Sequence, residues 1–244
     1  MYCNIASFYI KDDEVTVFTA LTKEWRGRMN SMLTEISILP IQSVYSIDNR
    51  TITAEVLQEE PLIVKFNNVL SDEECQALIN SASSRLERSK LAKKEVSQIR
   101  TSSGMFFEEN ESPLIAEIEK RIASLMHLPM EHAEGLQVLH YEPGQEFKAH
   151  FDYFGPNHPS SSNNRISTLV IYLNDVEEGG ATTFPNLGIV NTPSKGSAIY
   201  FEYFYNDQKT NELTLHSGEP VIRGEKWVAT QWMRKKPIRE RLLY

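Results

Sequence analysis

Residues 140–154 read "HYEPGQEFKAHFDYF", and how they are read decides the fold. After the turn text "EPGQ" the residues alternate in the period of a β-strand. His150 and Asp152 stand two apart, so a strand through them sends both side chains from one face. An imidazole and a carboxylate placed side by side are either polar surface or a pair that holds something between them.

Downstream text bears on that choice. His216 closes the strand-like run "ELTLH", 66 residues after His150, and Lys226 follows ten residues later. Two imidazoles and one carboxylate with this spacing match a facial triad, which leaves positions open on an octahedral ion. Iron(II) chemistry with dioxygen and an organic co-substrate needs those vacancies, and a closed four-ligand zinc site lacks them. The other histidines read differently. His127 falls near a helix end, where a cation suits the dipole. His132 and His158 sit in loop text and are expected to be solvated, and His140 turns away from Tyr141.

The surrounding text is β-rich. After Pro129, short runs such as "LQVLHYE", "ISTLVIYLND", "SAIYFEYF" and "KWVATQWMR" favour β-branched and aromatic residues, with turn text between them. About eight strands at this spacing predict a sandwich or barrel-like roll. Upstream, "SDEECQALINSASSRL" has Ser71 with Glu74 three residues on, a capping box, then a stripe of Cys75, Leu78, Ile79, Ala82 and Leu86. Ser112 and Pro113 start a second helix whose inner face is Ile115, Ile118, Ile122 and Leu125. The two helices are expected to cover one face of the roll. Between them, "RSKLAKKEVSQIRTSSG" reads as a polar, basic, mobile segment.

The bulk composition narrows the function classes. The chain has 244 residues, 41% hydrophobic and 24% charged, ordinary for a soluble protein with a real core. Its net charge of −8 argues against a nucleic-acid partner and gives no attraction to anionic lipid. Cys3 and Cys75 form neither a disulfide framework nor a metal motif. No secretory leader or membrane-length apolar run is visible, so the expected location is cytoplasmic. Residues 1–58 form an N-terminal extension without functional motif; packing on the main domain and self-association as a homodimer both stay open.

Taken together, "YEPGQEFKAHFDYF", "NNRISTLVIYLNDVEEGGATTFP", "KGSAIYFEYF" and "LHSGEPVIRGEKWVATQW" resemble the iron(II)- and 2-oxoglutarate-dependent dioxygenases. The prolyl 4-hydroxylase branch, especially its small bacterial members, is the nearest likeness, over about residues 60–235. The resemblance implies a mainly β fold with flanking helices: a double-stranded β-helix, or jelly roll, in residues 59–244, covered on one face by N-terminal helices. It implies Fe(2+) on His150, Asp152 and His216, with 2-oxoglutarate and O2 as co-substrates, and leaves open whether ascorbate is needed. Lys226 would pair with the distal carboxylate of 2-oxoglutarate, and Tyr141, Thr182 and Trp232 would line its pocket. Arg100, Ser102 and Arg165 match positions facing a peptide, and the loops around Arg100 and Ser160 would close over it. Ala181 departs from the glutamate of many relatives, at a position that is not a ligand.

The implied reaction is hydroxylation of peptidyl proline, with 2-oxoglutarate decarboxylated to succinate and carbon dioxide. A proline-rich peptide is already extended and loses little entropy on binding. Tyr153, Tyr172, Tyr203 and Tyr205 are candidate groove aromatics. Other readings are a hydroxylase of a free amino acid or small metabolite, a proline-rich-peptide binding module without catalysis, and a zinc hydrolase. The last lacks a general base in the neighbouring text and leaves Lys226 without a purpose.

Overall fold

The structure, a computed structural model, describes residues 7–11, 14–18, 35–88 and 99–240. Strands β1 (Ser7–Lys11) and β2 (Glu14–Phe18) pair as a separate hairpin. Strands β3 (Val44–Ile47), β4 (Arg50–Glu59) and β5 (Leu62–Asn67) form a meander, followed by helix α1 (Asp72–Ser83). Strands β6 (Glu87–Arg88) and β7 (Ser103–Phe106) lead to helix α2 (Pro113–Leu125). The roll follows: β8 (Gln137–Tyr141), β9 (Phe147–His150), β10 (Arg165–Tyr172), β11 (Glu178–Gly179), β12 (Thr182–Phe184), β13 (Ile189–Asn191) and β14 (Ala198–Glu202). Short helix α3 (Gln208–Glu212) precedes β15 (His216–Gly218), β16 (Val221–Arg223) and β17 (Lys226–Arg234).

A nine-stranded antiparallel sheet, ordered β3-β4-β5-β14-β10-β17-β8-β7-β6, faces a four-stranded sheet ordered β13-β12-β15-β9. Alternation along the central strands sorts the two faces. Leu169, Ile171, Tyr200, Ala229 and Met233 point to the helices and join Leu78, Ile115, Ile118 and Ile122 in one core. Tyr172, Ile199, Phe201 and Val228 point inward and pack with Phe184 in a second core between the sheets. The jelly roll and its helical cover are thus as expected, and both helix starts carry the expected caps. Ser71 Oγ accepts from the Glu74 N–H while Glu74 accepts from the Ser71 N–H at 2.7 Å, and Ser112 Oγ accepts from the Ile115 N–H.

Residues 35–39 are tied to the large sheet by one acid. Glu202 is fully buried and accepts from the backbone N–H of Leu39 (2.9 Å) and Ile38 (3.3 Å) and from the hydroxyls of Tyr200 and Tyr205. Burial pushes its carboxyl up to about 7 against those four donors.

Three local expectations need correction. The strand through the opening motif ends at His150, so Asp152 lies in the bend beyond it. His216 opens a strand instead of closing one, because Asp207 caps the Lys209 N–H and starts a helical turn in "QKTNE". His132 is 1% exposed and bonds the Arg234 carbonyl at 2.8 Å through Nδ1, so it is a core histidine and not a solvated one. The basic segment at 89–98, like Cys3, lies outside the described residues. Cys75 is a buried free thiol, and among the described residues no helix is long and apolar enough to cross a membrane.

Candidate metal centre and co-substrate pocket

The four-stranded sheet brings the distant histidines together. Strand β15 pairs with β9 so that His216 stands directly opposite His150. Their rings lie 4.3 Å apart between centroids, and the bend after β9 returns the Asp152 carboxylate between them. The ligating atoms of His150, Asp152 and His216 all lie within 4.8 Å of one another.

Backbone carbonyls orient both rings. His150 Nδ1 lies 2.8 Å from the Lys148 carbonyl and His216 Nδ1 lies 2.9 Å from the Thr214 carbonyl. A carbonyl only accepts, so each Nδ1 carries the proton and each Nε2 presents a lone pair. The two Nε2 atoms face Asp152, at 3.5 Å from Oδ1 and 3.6 Å from Oδ2. These separations are wider than a strong hydrogen bond. They suit atoms that share a cation instead of a proton. Imidazole nitrogen and carboxylate oxygen are the donors that an iron(II) site uses, so the donor set fits the metal.

The electrostatics agree. Burial alone would raise the Asp152 carboxyl, but the neighbouring His216, His150 and Arg165 hold it well below the usual carboxylate range. Burial pushes His216 down to about 4; His150 adds to this and Asp152 opposes it. The buried His216 imidazole is therefore neutral at neutral pH, beside an ionised Asp152.

The pocket continues from this centre along β17. Lys226, Val228, Thr230 and Trp232 alternate onto its inner face, which puts the ammonium and the indole in one pocket with the triad. Lys226 is 3% exposed, and its Nζ lies 5.5 Å from the Tyr141 ring centroid and 5.8 Å from that of Tyr172. Among the described residues no carboxylate pairs with it. Burial lowers its ammonium to about 8, with Glu219 opposing weakly. Gly180 keeps the space beside it open: a Cβ there, at φ +67°, would sit 3.3 Å from Lys226 Cδ.

Polar groups aimed at oxygen line the same pocket. Asn191 Nδ2 donates to the Tyr172 hydroxyl at 2.8 Å, which donates to Thr182 Oγ1 at 2.8 Å. The Thr182 proton is left to point into the pocket. The buried Tyr141 phenol bonds Ser102, and burial keeps it protonated. Among the described residues the buried Trp232 indole N–H has no hydrogen-bond partner.

The family follows from comparison. Residues 136–234 match the model of the 2OG-Fe(II) oxygenase superfamily. Probable prolyl 4-hydroxylase 3 of Arabidopsis thaliana is 39% identical over 204 residues, covering 73% of this chain and 71% of its own. The chain belongs to the prolyl 4-hydroxylase family of 2OG-Fe(II) oxygenases. It is a 2-oxoglutarate-dependent dioxygenase whose cofactors are Fe(2+), 2-oxoglutarate and O2. The viral collagen prolyl hydroxylase of Paramecium bursaria chlorella virus-1, solved with 2-oxoglutarate, is 33% identical with a TM-score of 0.57, over 70% of this chain and 95% of that one. The Pseudomonas putida prolyl-4-hydroxylase, 18% identical over 70% of this chain and 92% of that one with a TM-score of 0.52, shares the fold.

The residues expected to face a peptide have more constrained surroundings in this oxygenase. Arg100 and Ser102 are buried; Arg100 lies over the Phe147 ring and reaches Ser102 Oγ at 3.4 Å, at the mouth of the triad pocket. Arg165 grips Glu134 through two bonds of 2.8 Å, stacks 3.9 Å from the Trp232 ring centroid and donates to the Asp152 carbonyl. Its guanidinium is thus spent on holding the site's wall. Of the groove aromatics, Tyr172 is fully buried under Thr182, while Tyr153, Tyr203 and Tyr205 line a separate cleft of about 1020 Å³. That cleft is far larger than the triad pocket, yet it is lined by none of His150, Asp152 and His216. Sequence reading missed Thr168 and Glu134. Thr168 was findable as a polar residue amid the apolar run "ISTLVIY" at an inward position; Glu134 lies in loop text that carries no such signal.

Proposed function

We propose that this oxygenase hydroxylates prolyl residues of peptides at carbon 4, with His150, Asp152 and His216 as the iron ligands. The observation that carries this reading is one pocket combining a three-donor face with a buried ammonium that no carboxylate pairs with among the described residues. Bound iron(II) would activate dioxygen at the expense of 2-oxoglutarate, yielding succinate and carbon dioxide. The chain's own residues do the placing. Lys226 takes the distal carboxylate of the keto acid, a charge-assisted contact strengthened by burial. Thr182 and Tyr141 donate hydroxyl protons to its oxygens, and the Trp232 N–H supplies a further donor. Val228 and the inner aromatics exclude water. The peptide enters past Arg100 and Phe147, opposite the wall held by Arg165.

The peptide substrate is supported by the relatives: a probable prolyl 4-hydroxylase of a plant and a collagen prolyl hydroxylase of a virus, each covered over more than two thirds of its length. A more distant prolyl hydroxylase, from Trichoplax adhaerens, was solved with a hypoxia-inducible-factor peptide fragment. Residues 1–58 have a role separate from catalysis in this proposal, although β4 crosses the 58/59 boundary and joins the large sheet. The test is mass spectrometry of Pro-Pro-Gly and Pro-Ala peptides after incubation with iron(II), 2-oxoglutarate and air, with and without ascorbate. A gain of one oxygen on proline is the expected result. Succinate formed at the same rate without peptide, and no mass change on any peptide, would direct the search to small metabolites.

A further inference from the structure

The Asp152 carboxylate has a partner that no ligand motif accounts for. Thr168, fully buried in the middle of β10, places its hydroxyl 2.8 Å from Asp152 Oδ2. The same hydroxyl lies 2.6 Å from that of Tyr203, which is 3% exposed. The Thr168 hydroxyl donates its one proton to Oδ2. Tyr203 must then donate to Thr168. The direction of both bonds is fixed, and the Thr168 rotor has no second choice.

We propose that Thr168 and Tyr203 are positioning residues that hold Asp152 as a one-oxygen metal ligand. The inference rests on the assignment of His150, Asp152 and His216 as the iron site. Its chemistry is a matter of counting positions. An octahedral ion held by three protein donors keeps three positions, of which a chelating keto acid takes two and dioxygen one. A carboxylate is able to bind through both oxygens, and doing so here would consume one of those positions. With Oδ2 engaged by the Thr168 hydroxyl, Oδ1 is the oxygen left uncommitted. Hydrogen bonds behind metal ligands commonly set their orientation and contribute 10- to 100-fold to affinity or activity.

Strand geometry gives the pair its precision. Thr168 is paired across the ladder with Trp232 on one side and Phe201 on the other, so β10 is held from both edges at this residue. Tyr203 follows directly on β14, with its ring against Phe201 at 5.8 Å and Tyr153 at 5.9 Å between centroids. The carboxylate sits in a bend outside any strand, so the rigid sheet lends it an orientation that its own backbone does not supply.

The experiment compares Thr168→Val, Thr168→Ser, Tyr203→Phe and, as control, His216→Ala in the full chain. Mn(2+) affinity is measured by calorimetry, then 2-oxoglutarate affinity of the Mn(2+)-loaded protein, with melting temperature recorded without metal. Thr168→Val is expected to lose about 10- to 100-fold in Mn(2+) or 2-oxoglutarate affinity. Thr168→Ser, which keeps the hydroxyl, is expected to stay near the parent, and Tyr203→Phe to show a smaller loss of the same kind. Wild-type affinities in both Thr168→Val and Tyr203→Phe, beside loss in His216→Ala, would overturn the positioning role and leave the triad standing. Wild-type Mn(2+) affinity in His216→Ala would overturn the triad itself, and this inference with it. Should Thr168→Val not fold, Tyr203→Phe decides: unchanged affinities refute the role, and a lowered melting temperature alone does not rescue it.

Discussion

The two ends of the pocket are prepared for their ligands in opposite ways. At the metal end every charge is already answered: Asp152 sits among His150, His216, Arg165 and the Thr168 hydroxyl. At the co-substrate end Lys226 is buried, among the described residues no carboxylate pairs with it, and burial works against its charge. The metal end is a finished frame that loses little by waiting. The far end is held in an unfavourable state that an incoming dianion relieves. In the proposed binding mode, part of the binding energy of the distal carboxylate would come from relief of that burial cost.

The largest effect that would test this contrast comes from the metal end. Replacing His150, Asp152 or His216 by Ala is expected to abolish turnover, read as succinate release, together with Mn(2+) binding. Retained activity in His216→Ala would remove the frame from the comparison. At the other end, Lys226→Ala is expected to raise the 2-oxoglutarate requirement on the order of 10²-fold, the scale for removing one partner of a buried charge pair. Mn(2+) affinity should stay unchanged. Equal losses of both affinities would mean that the two ends are not separable.

That burial cost is itself measurable. In the folded chain Lys226 ionises near 8, below its ordinary value near 10.5. As pH falls from the unfolded value to the folded one, the unfolded chain takes up a proton that the folded chain refuses, so stability declines across that window. Below about 8 the full cost is present. Lys226→Met should therefore raise the stability of the ligand-free protein at neutral pH, by on the order of a few kcal/mol. The gain should vanish above about pH 10.5. A denaturant titration at both pH values checks it, and a destabilised Lys226→Met would show that the ammonium is better satisfied than its surroundings suggest.

The same group sets a pH dependence for the ligand. Only the ammonium form attracts the distal carboxylate, and the bound anion raises the ionisation point. The 2-oxoglutarate affinity of the metal-loaded protein should hold steady below about pH 8. Above it the affinity should fall by about tenfold per unit. Lys226→Met should flatten that profile.

Much of this contrast was legible in the sequence because it rests on spacing. His150, Asp152, His216 and Lys226 stand in short motifs whose neighbours are strand-like, and alternation alone puts Lys226 and Trp232 on one face. The two capped helices were readable because their signals are local. What spacing could not give was register between distant strands. Nothing in "ELTLH" says that its histidine will face His150 across β15 and β9. Nor do local patterns reveal that Arg165 is taken by Glu134, or that Glu202 receives the backbone of residues 38 and 39, since each contact joins segments far apart in sequence. His132 read as solvated for the same reason: its partner is Arg234.

The smallest expected effect concerns the hydroxyl chain at the co-substrate end, where Asn191 and Tyr172 aim Thr182. This chain resembles the one behind Asp152 in composition, a tyrosine donating to a threonine, but its final proton is free for the pocket and is not taken by a protein carboxylate. Thr182→Val keeps the shape and removes that proton. A hydrogen bond to a charged partner contributes about 1.5–3 kcal/mol, so a loss of roughly tenfold or more in 2-oxoglutarate affinity is expected, with metal affinity intact. Tyr172→Phe should cost less, because Thr182 keeps its proton and loses only the bond that aims it; Asn191 Nδ2 is then left buried without its acceptor, which lowers stability. If Thr182→Val weakened metal binding as well, the two chains would belong to one network, and the division between a finished frame and a waiting cation would not hold.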